Sequence, residues 1–327
     1  MGNNSPEEVK LRDDVFTEAW RRNGGVITAV AKDLGISLRN VQVRRRDVEN
    51  RTGVTLSTTS TRTPAKTEFE QDITGRYGGY QLTIRTGRVL VGSDLHATDY
   101  TPTAMRGMVA CAKTLLPAAI IVNGDDIDAP SAGKYPRNGW MKQTNIADDL
   151  RFAQRDLALL EAARPAGAKL IRTLGNHDMR FETYLANHAA MFEGVPGMTL
   201  ADHFPLWTNC VAVYVNGTQA VIKHRWHNGI HAVYNNVLKG GTTIVTGHTH
   251  SQKVTPYTNF TGTNYGVDCG MLADPFGEQF NYGEHNPCNH RSGFALLTFI
   301  DGQLMPPELA EVVGEGRIWF RGKVWEV

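Results

Sequence analysis

The sequence has no long apolar run: nowhere do about 18 apolar residues follow one another, the length a membrane-crossing helix needs. Its first residues, MGNNSPEEVKLRDD, are polar and lack an apolar signal core, so a cytoplasmic location and no membrane partner are expected. Cysteine is scarce. Cys111, Cys210, Cys269 and Cys288 lie far apart and form no CxxC pair, which argues against a disulfide framework and for free thiols in a reducing compartment. Neither sign of charge dominates: 34 Lys and Arg against 33 Asp and Glu leave a net of +1. No global field therefore draws the chain to a membrane or a nucleic acid, and any such attraction is local. Internal repeats of useful length are missing as well.

The 327 residues suffice for one large domain, or for a large and a small one. A break in composition divides them. Residues 52–67, TGVTLSTTSTRTPAKT, are mostly small and hydroxylic with no period to bury, and read as a linker that we extend to residue 75. Residues 1–51 read as helices, with Phe16, Ala19 and Trp20 at i, i+3, i+4 on one apolar stripe. Ala31, Gly35 and Val41 have the spacing of a helix-turn-helix, in which a small residue lets two helices approach, a glycine takes the left-handed turn and an aliphatic residue anchors the second helix. That helix begins near Ser37, a suitable N-cap, and carries Arg39, Arg44, Arg45 and Arg46. The segment resembles the helix-turn-helix class of DNA-binding domains, which implies nucleic acid, DNA first, as a partner of those arginines. The alternative is a small helical bundle for dimerisation, its arginines a solvated face, which leaves a homo-oligomer open.

After the linker, from residue 76 to 327, the pattern changes. RVLVGSDLH, AAIIVNGDD and AKLIRTLGNHD are short apolar runs ending in polar residues, separated by helix-length segments. In one of these, Ile146, Leu150, Ala153, Leu157 and Leu160 mark a helix face. Such alternation predicts parallel βαβ units, with functional groups beyond the carboxyl ends of the strands. From about residue 205 the strands come closer together, beginning with a hairpin at Asn216-Gly217. The expected fold is α/β, a four-layer αββα sandwich, with a small all-α helix-turn-helix domain ahead of it.

The polar strand ends read Asp94-Leu95-His96, Gly124-Asp125-Asp126-Ile127-Asp128, Gly175-Asn176-His177-Asp178, His224, and Gly247-His248-Thr249-His250. Each offers oxygen or imidazole, and a mixed Asp, Asn and His set suits borderline divalent ions such as Mn²⁺, Fe²⁺ or Zn²⁺. Gly247 permits the turn that lets His248 and His250 both face such a site.

At these residues the chain resembles the calcineurin-like metallophosphoesterase superfamily, whose signature runs D-x-H, G-D-x-x-D, G-N-H-[DE], H, G-H-x-H, over roughly residues 85 to 300. The resemblance implies a dinuclear metal-dependent phosphoric ester hydrolase with two divalent ions, Mn²⁺ first and Fe or Zn as alternatives. It assigns Asp94, His96, Asp125 and His250 to one ion, and Asn176, His224 and His248 to a second, bridged by Asp125 with its two oxygens. His177 would lie beside the scissile group, oriented by Asp178, and Asp128 would orient ligands. His227 rivals His224, since the family shows His-Gly where this chain has HRWHNG. EHNPCNH, with His285, Cys288 and His290, reads as a surface loop rather than a further ion site.

Departures from the family narrow the substrate. Asp128-Ala129-Pro130 replaces the D-R-G of phosphoprotein phosphatases, and no tyrosine of the purple acid phosphatase kind is present in the second block. The Mre11-like nucleases usually end that block with histidine, where this chain has Asp128, and what remains resembles the broad phosphodiesterase and nuclease-like part of the superfamily. APSAGKYPRNGWMKQ places Lys134 and Arg137 beside Tyr135 and Trp140, a mixture suited to a phosphate backbone with stacked bases or to a locally packed turn. Arg180 and Arg225 could add phosphate contacts. The favoured substrate is a nucleic-acid phosphodiester, because a tethered DNA-docking domain raises the local concentration of strand. The alternative is a small-molecule or nucleotide phosphatase, or a cyclic phosphodiesterase, whose N-terminal domain dimerises.

Overall fold

Phe16, Ala19 and Trp20 share one face of the first helix, α1 (Pro6–Arg22), and all three are buried. In the computed structural model, which describes residues 6–57, 77–133, 139, 143–283 and 287–327, the chain divides into two units, Met1–Phe69 and Glu70–Val327. In the first unit, α2 (Ile27–Leu34) and α3 (Leu38–Thr52) bring Val30, Ala31, Val41 and Val48 against Phe16 and Trp20. Gly35 links α2 to α3 at φ 65°, a conformation that a side chain resists, and the Ser37 hydroxyl accepts the amide hydrogen of Asn40 as an N-cap.

Two features of this unit differ from the sequence reading. Leu56, inside the stretch read as linker, is buried on the helices, and the Trp20 indole donates to the Ser57 carbonyl at 3.0 Å. A lone leucine in a hydroxylic run has no period to announce it. Residues 58–76 lie outside the described residues. Arg44 and Arg45, grouped with Arg39 and Arg46 as DNA contacts, are three or four residues from both Val41 and Val48 and therefore flank the buried face. Their guanidinium carbons stand 5.8 Å from the Phe16 ring centre and 5.7 Å from that of Trp20. Arg39 and Arg46 are exposed.

The second unit runs β1 (Gly79–Leu82), β2 (Gly87–Gly92), α4 (Thr103–Leu115), β3 (Ala119–Asn123), α5 (Ile146–Ala163), β4 (Lys169–Thr173), α6 (Asp178–His188), α7 (Leu200–His203) and β5 (Thr208–Cys210). It continues with β6 (Ala212–Val215), β7 (Ala220–Ile222), α8 (Ala232–Gly240), β8 (Thr243–Thr246), β9 (Lys253–Asn259) and β10 (Gly262–Asp268). It closes with β11 (Gly293–Ile300), β12 (Gln303–Leu304), β13 (Glu308–Gly314), β14 (Arg317–Phe320) and β15 (Lys323–Glu326).

Two sheets result. One has six strands in the order β1-β6-β7-β8-β10-β9; the other has nine, in the order β15-β14-β13-β11-β2-β3-β4-β5 with β12 paired to β11. Strands β2 to β5 are parallel neighbours, as their alternation with helices predicts. Side chains alternate across this sheet. Val89, Val91, Ala119 and Ile121 join Val213, Ile222 and Val245 of the other sheet in one core. Leu90, Ile120, Val122 and Leu170 instead meet Met105 and Met108 of α4 and Leu157 and Leu160 of α5 in a second core. Helix α8 packs on the six-stranded sheet through β8, β9 and β10. The order of layers is helix, sheet, sheet, helix. Among the described residues no helix is long and apolar enough to cross a membrane.

Candidate metal centre

Five strands, three from one sheet and two from the other, deliver their polar tips to one place. Asp94 and His96 follow β2, Asp125 follows β3, Asn176 and His177 follow β4, His224 follows β7, and His248 and His250 follow β8. Backbone bonds continue past the strands and tie these tips together. The Asp94 amide donates to the Gly124 carbonyl at 2.9 Å, that of His96 to Asp125 at 3.0 Å, and that of Gly247 to His224 at 3.0 Å. Asp94, His96 and His250 offer ligand atoms within 4.8 Å of one another, and so do Asp125, His224 and His248. A third such set joins His96, Asp128 and His177.

The backbone at these tips is strained. Asp94, His96, Asp125, His248 and His250 have φ between 40° and 68°, a region that costs a residue other than glycine about 1–3 kcal/mol and persists only when the surroundings enforce it. Gly247 was expected to permit the turn that brings both histidines to the site, but the left-handed conformations fall on His248 and His250 and not on Gly247. Glycine is required at 247 for room: a Cβ there would overlap Ser93 Oγ and Asp94 Oδ2.

Each carboxylate is oriented by donors on one oxygen. Asp94 Oδ2 accepts the Ser93 hydroxyl at 2.6 Å and the His248 amide at 2.8 Å, while Oδ1 lies 3.1 Å from His250 Nε2. Asp125 Oδ1 accepts the His177 amide at 2.8 Å, leaving Oδ2 3.0 Å from His224 Nε2. The His177 amide thus fixes the orientation of the carboxylate and leaves each oxygen a free lone pair. His224 Nδ1 donates to the Asn123 carbonyl at 2.8 Å, which aims Nε2 at Asp125. Its rival His227 is tied elsewhere, to Asn236 Oδ1 at 2.9 Å and Lys239 Nζ at 3.0 Å.

Burial raises the Asp94 carboxyl, but His250 and His224 beside it outweigh that and hold it at about 2. Asp125 is likewise held well below the usual carboxylate range against burial, by His224 and His177. Burial also lowers His224, but Asp125 and Asp94 overcome it and push the ring up to about 10. His248 is pushed down to about 4 by burial and by His224.

These residues fit divalent ions on a structural ground. His96 Nε2 and Asn176 Oδ1 are buried and make no hydrogen bond, and His224 Nε2 meets only the Asp125 carboxylate at 3.0 Å. Each unpartnered atom costs about 1–3 kcal/mol, and two in one pocket with His224 and two ionised carboxylates form a ligand set that a divalent cation satisfies.

Asp178 and Asp128 exchange the roles expected of them. The Asp178 carboxylate is buried and accepts the amides of Asp125 at 2.8 Å, Asp126 at 3.0 Å and Gly175 at 2.8 Å, bracing the tip of β3 against that of β4. It opens α6, and consecutive residues at a helix start do not face one another, so it is not the partner of the His177 ring. Asp128 is that partner, with Oδ1 2.6 Å from His177 Nδ1 and 3.3 Å from His96 Nδ1. Arg180 donates to the Asp128 carbonyl at 2.8 Å and to His177 Nε2 at 3.1 Å. Lys134 and Arg137 lie outside the described residues.

Several contributors escaped the sequence reading. Arg172 on β4 is buried, with Nε 2.5 Å from Asp126 Oδ2 and its guanidinium 3.8 Å from the Phe204 ring centre. An arginine inside an apolar parallel strand was the available signal. The His290 ring reaches to 4.8 Å from that of His250, and Phe280 stands 5.4 Å from His250 and 5.5 Å from His96. The loop read as surface thus lines the centre; Cys288 in it is exposed, and His285 lies outside the described residues.

No protein-family model matches the chain. The Gene 54 proteins of Mycobacterium phages L5 and D29 are each 28% identical to it, over 265 and 260 residues, covering 73% of this chain and 99% of each relative. Among solved structures, Vps29 of Entamoeba histolytica complexed with Zn²⁺ aligns at 13% identity and a TM-score of 0.40, covering 73% of this chain and 98% of that one. A provisionally named diadenosine tetraphosphatase aligns at 12% identity and a TM-score of 0.37, covering 73% and 100%. Similarity this remote carries no weight of its own.

Proposed function

We propose that the chain is a metal-dependent phosphoesterase of the calcineurin-like metallophosphoesterase type, holding two divalent ions, Mn²⁺ before Fe or Zn, and hydrolysing phosphodiesters of nucleic acid. The observation that carries this reading is the convergence of Asp94, His96 and His250 with Asp125, His224 and His248, with His96 Nε2 and the neighbouring Asn176 Oδ1 buried and without hydrogen bonds. When bound, two divalent ions supply Lewis acidity, activating water and neutralising phosphoryl oxygens.

The chain's own groups hold, orient and move protons. Asp94, His96 and His250 would hold one ion, and Asn176, His224 and His248 the other, with Asp125 serving both. His177 keeps Nδ1 against Asp128 and turns Nε2 toward Arg180. Burial lowers this ring, but Asp128 and Asp125 outweigh it and raise its pKa, which suits a group that takes a proton at Nε2 and passes it to the leaving oxygen. A protonated Nε2 cannot accept from Arg180, so protonation would free the guanidinium for a phosphoryl oxygen. Nucleic acid is favoured as substrate by Arg39 and Arg46, exposed on α3 of a unit in cis.

Full-length protein loaded with Mn²⁺ is expected to hydrolyse bis(p-nitrophenyl) phosphate, and Asp125→Ala or His177→Ala to lower the rate by about a hundredfold or more. Unchanged rates would refute the site. Linear, circular and single-stranded DNA assayed beside cyclic and mononucleotides decide the substrate class; turnover of the nucleotides alone would replace the nuclease reading with the small-molecule one.

A further inference from the structure

Between Asp202 and Asp268 the sequence has no acidic residue, although 33 of its 327 residues are acidic. The same stretch carries Lys223, Arg225, Lys239 and Lys253, and it supplies His224 and His248 to the metal centre. The lysines meet neutral groups. Lys239 Nζ lies 3.0 Å from His227 Nε2, Lys253 Nζ donates to the Ile230 carbonyl at 2.8 Å, and Lys223 Nζ stands 5.9 Å from the centre of the Trp226 ring. Arg225 directly follows His224 and is exposed. Trp226 packs against Gly240 of α8 yet remains 44% exposed.

A stretch of chain that carries cations and no acidic residue of its own, beside a hydrolytic site, favours a polyanion. A flat ring next to the exposed cation adds what a lone phosphate has no use for and a nucleotide does: a surface on which a base can stack. We propose that Arg225 and Trp226 form a subsite for the nucleotide next to the scissile phosphate in a single-stranded nucleic acid, Arg225 holding the neighbouring phosphate and Trp226 stacking its base. The subsite rests on the phosphodiesterase reading of the metal centre and specifies its substrate. Lys223 behind the ring adds charge to the same path.

The test uses the full chain in two ways. A single-stranded oligonucleotide carrying 5-iodouracil is irradiated with the protein, and crosslinked peptides are mapped by mass spectrometry, a readout that needs no turnover. A crosslink at Trp226 is expected; crosslinks found only elsewhere overturn the subsite. In parallel, Arg225→Gln and Trp226→Leu are each expected to lower, by about tenfold, the ratio of kcat/KM for the oligonucleotide to that for bis(p-nitrophenyl) phosphate. Equal losses on both substrates, or none on either, overturn the subsite, and the exposed Arg225 keeps this arm informative should Trp226→Leu fold poorly. Crosslinking at Trp226 in wild-type protein that hydrolyses neither substrate would instead retain the subsite and overturn the phosphoesterase reading.

Discussion

His224 and His227 are the same residue type three positions apart, and their surroundings alone separate them. One is aimed at Asp125 by the Asn123 carbonyl; the other is held by Asn236 and Lys239. Equilibrium dialysis with elemental analysis is expected to find about one divalent ion fewer on His224→Ala than on wild-type protein and full loading on His227→Ala; equal loading of the two variants would disprove the assignment. The Asp178 carboxylate, meeting three amides at 3.0 Å or less, is a brace rather than a proton carrier. Asp178→Asn would turn a donor toward those amides and is expected to cost about 3 kcal/mol of stability in urea unfolding. A loss confined to activity, with stability intact, would return Asp178 to the chemistry.

At the scale of the element, a helix apportions its residues by angle rather than by chemistry. Four arginines on α3 look alike in sequence, but Arg44 and Arg45 share the side of Val41 and Val48 and cover Phe16 and Trp20. In a gel-shift salt titration on duplex DNA, Arg46→Ala is expected to reduce the slope of log K against log salt by about one, while Arg44→Ala leaves the slope unchanged. The same slope for Arg46→Ala as for wild type would remove α3 from the DNA reading. The strands obey an equally strict rule. Leu90 faces the helices and Val89 and Val91 the other sheet, so a single shift of register would exchange the two cores.

For the whole molecule, bringing three tips of one sheet to two tips of the other concentrates charge that metal and protons contest. His224 must be neutral to bind an ion, yet in the metal-free protein its neighbours push it up to about 10. Ion binding therefore displaces a proton. Apparent metal affinity is expected to strengthen as pH rises toward 10 and to weaken by about tenfold for each unit below it, measured by competition with a chelator. The sign for folding is opposite. Because the folded value of His224 is raised above its ordinary 6.5, its contribution to the stability of chelated protein is complete below 6.5 and is lost as pH rises through about 10. A metal affinity independent of pH would show that His224 does not exchange a proton for an ion.

The sequence by itself determined the parallel βαβ core, the hairpin at Asn216-Gly217 and the five polar strand tips, because apolar periodicity and turn chemistry are local properties. It also indicated the helices of the first unit through Ala31, Gly35 and Val41. Tertiary structure decided the rest. That Asp128 rather than Asp178 holds His177, that His224 rather than His227 turns inward, and that His290 joins the centre from a distant loop all depend on which segments meet across the two sheets. No spacing along one segment encodes such a meeting, because the partner that fixes each side chain lies far away in the chain and approaches only when both cores close.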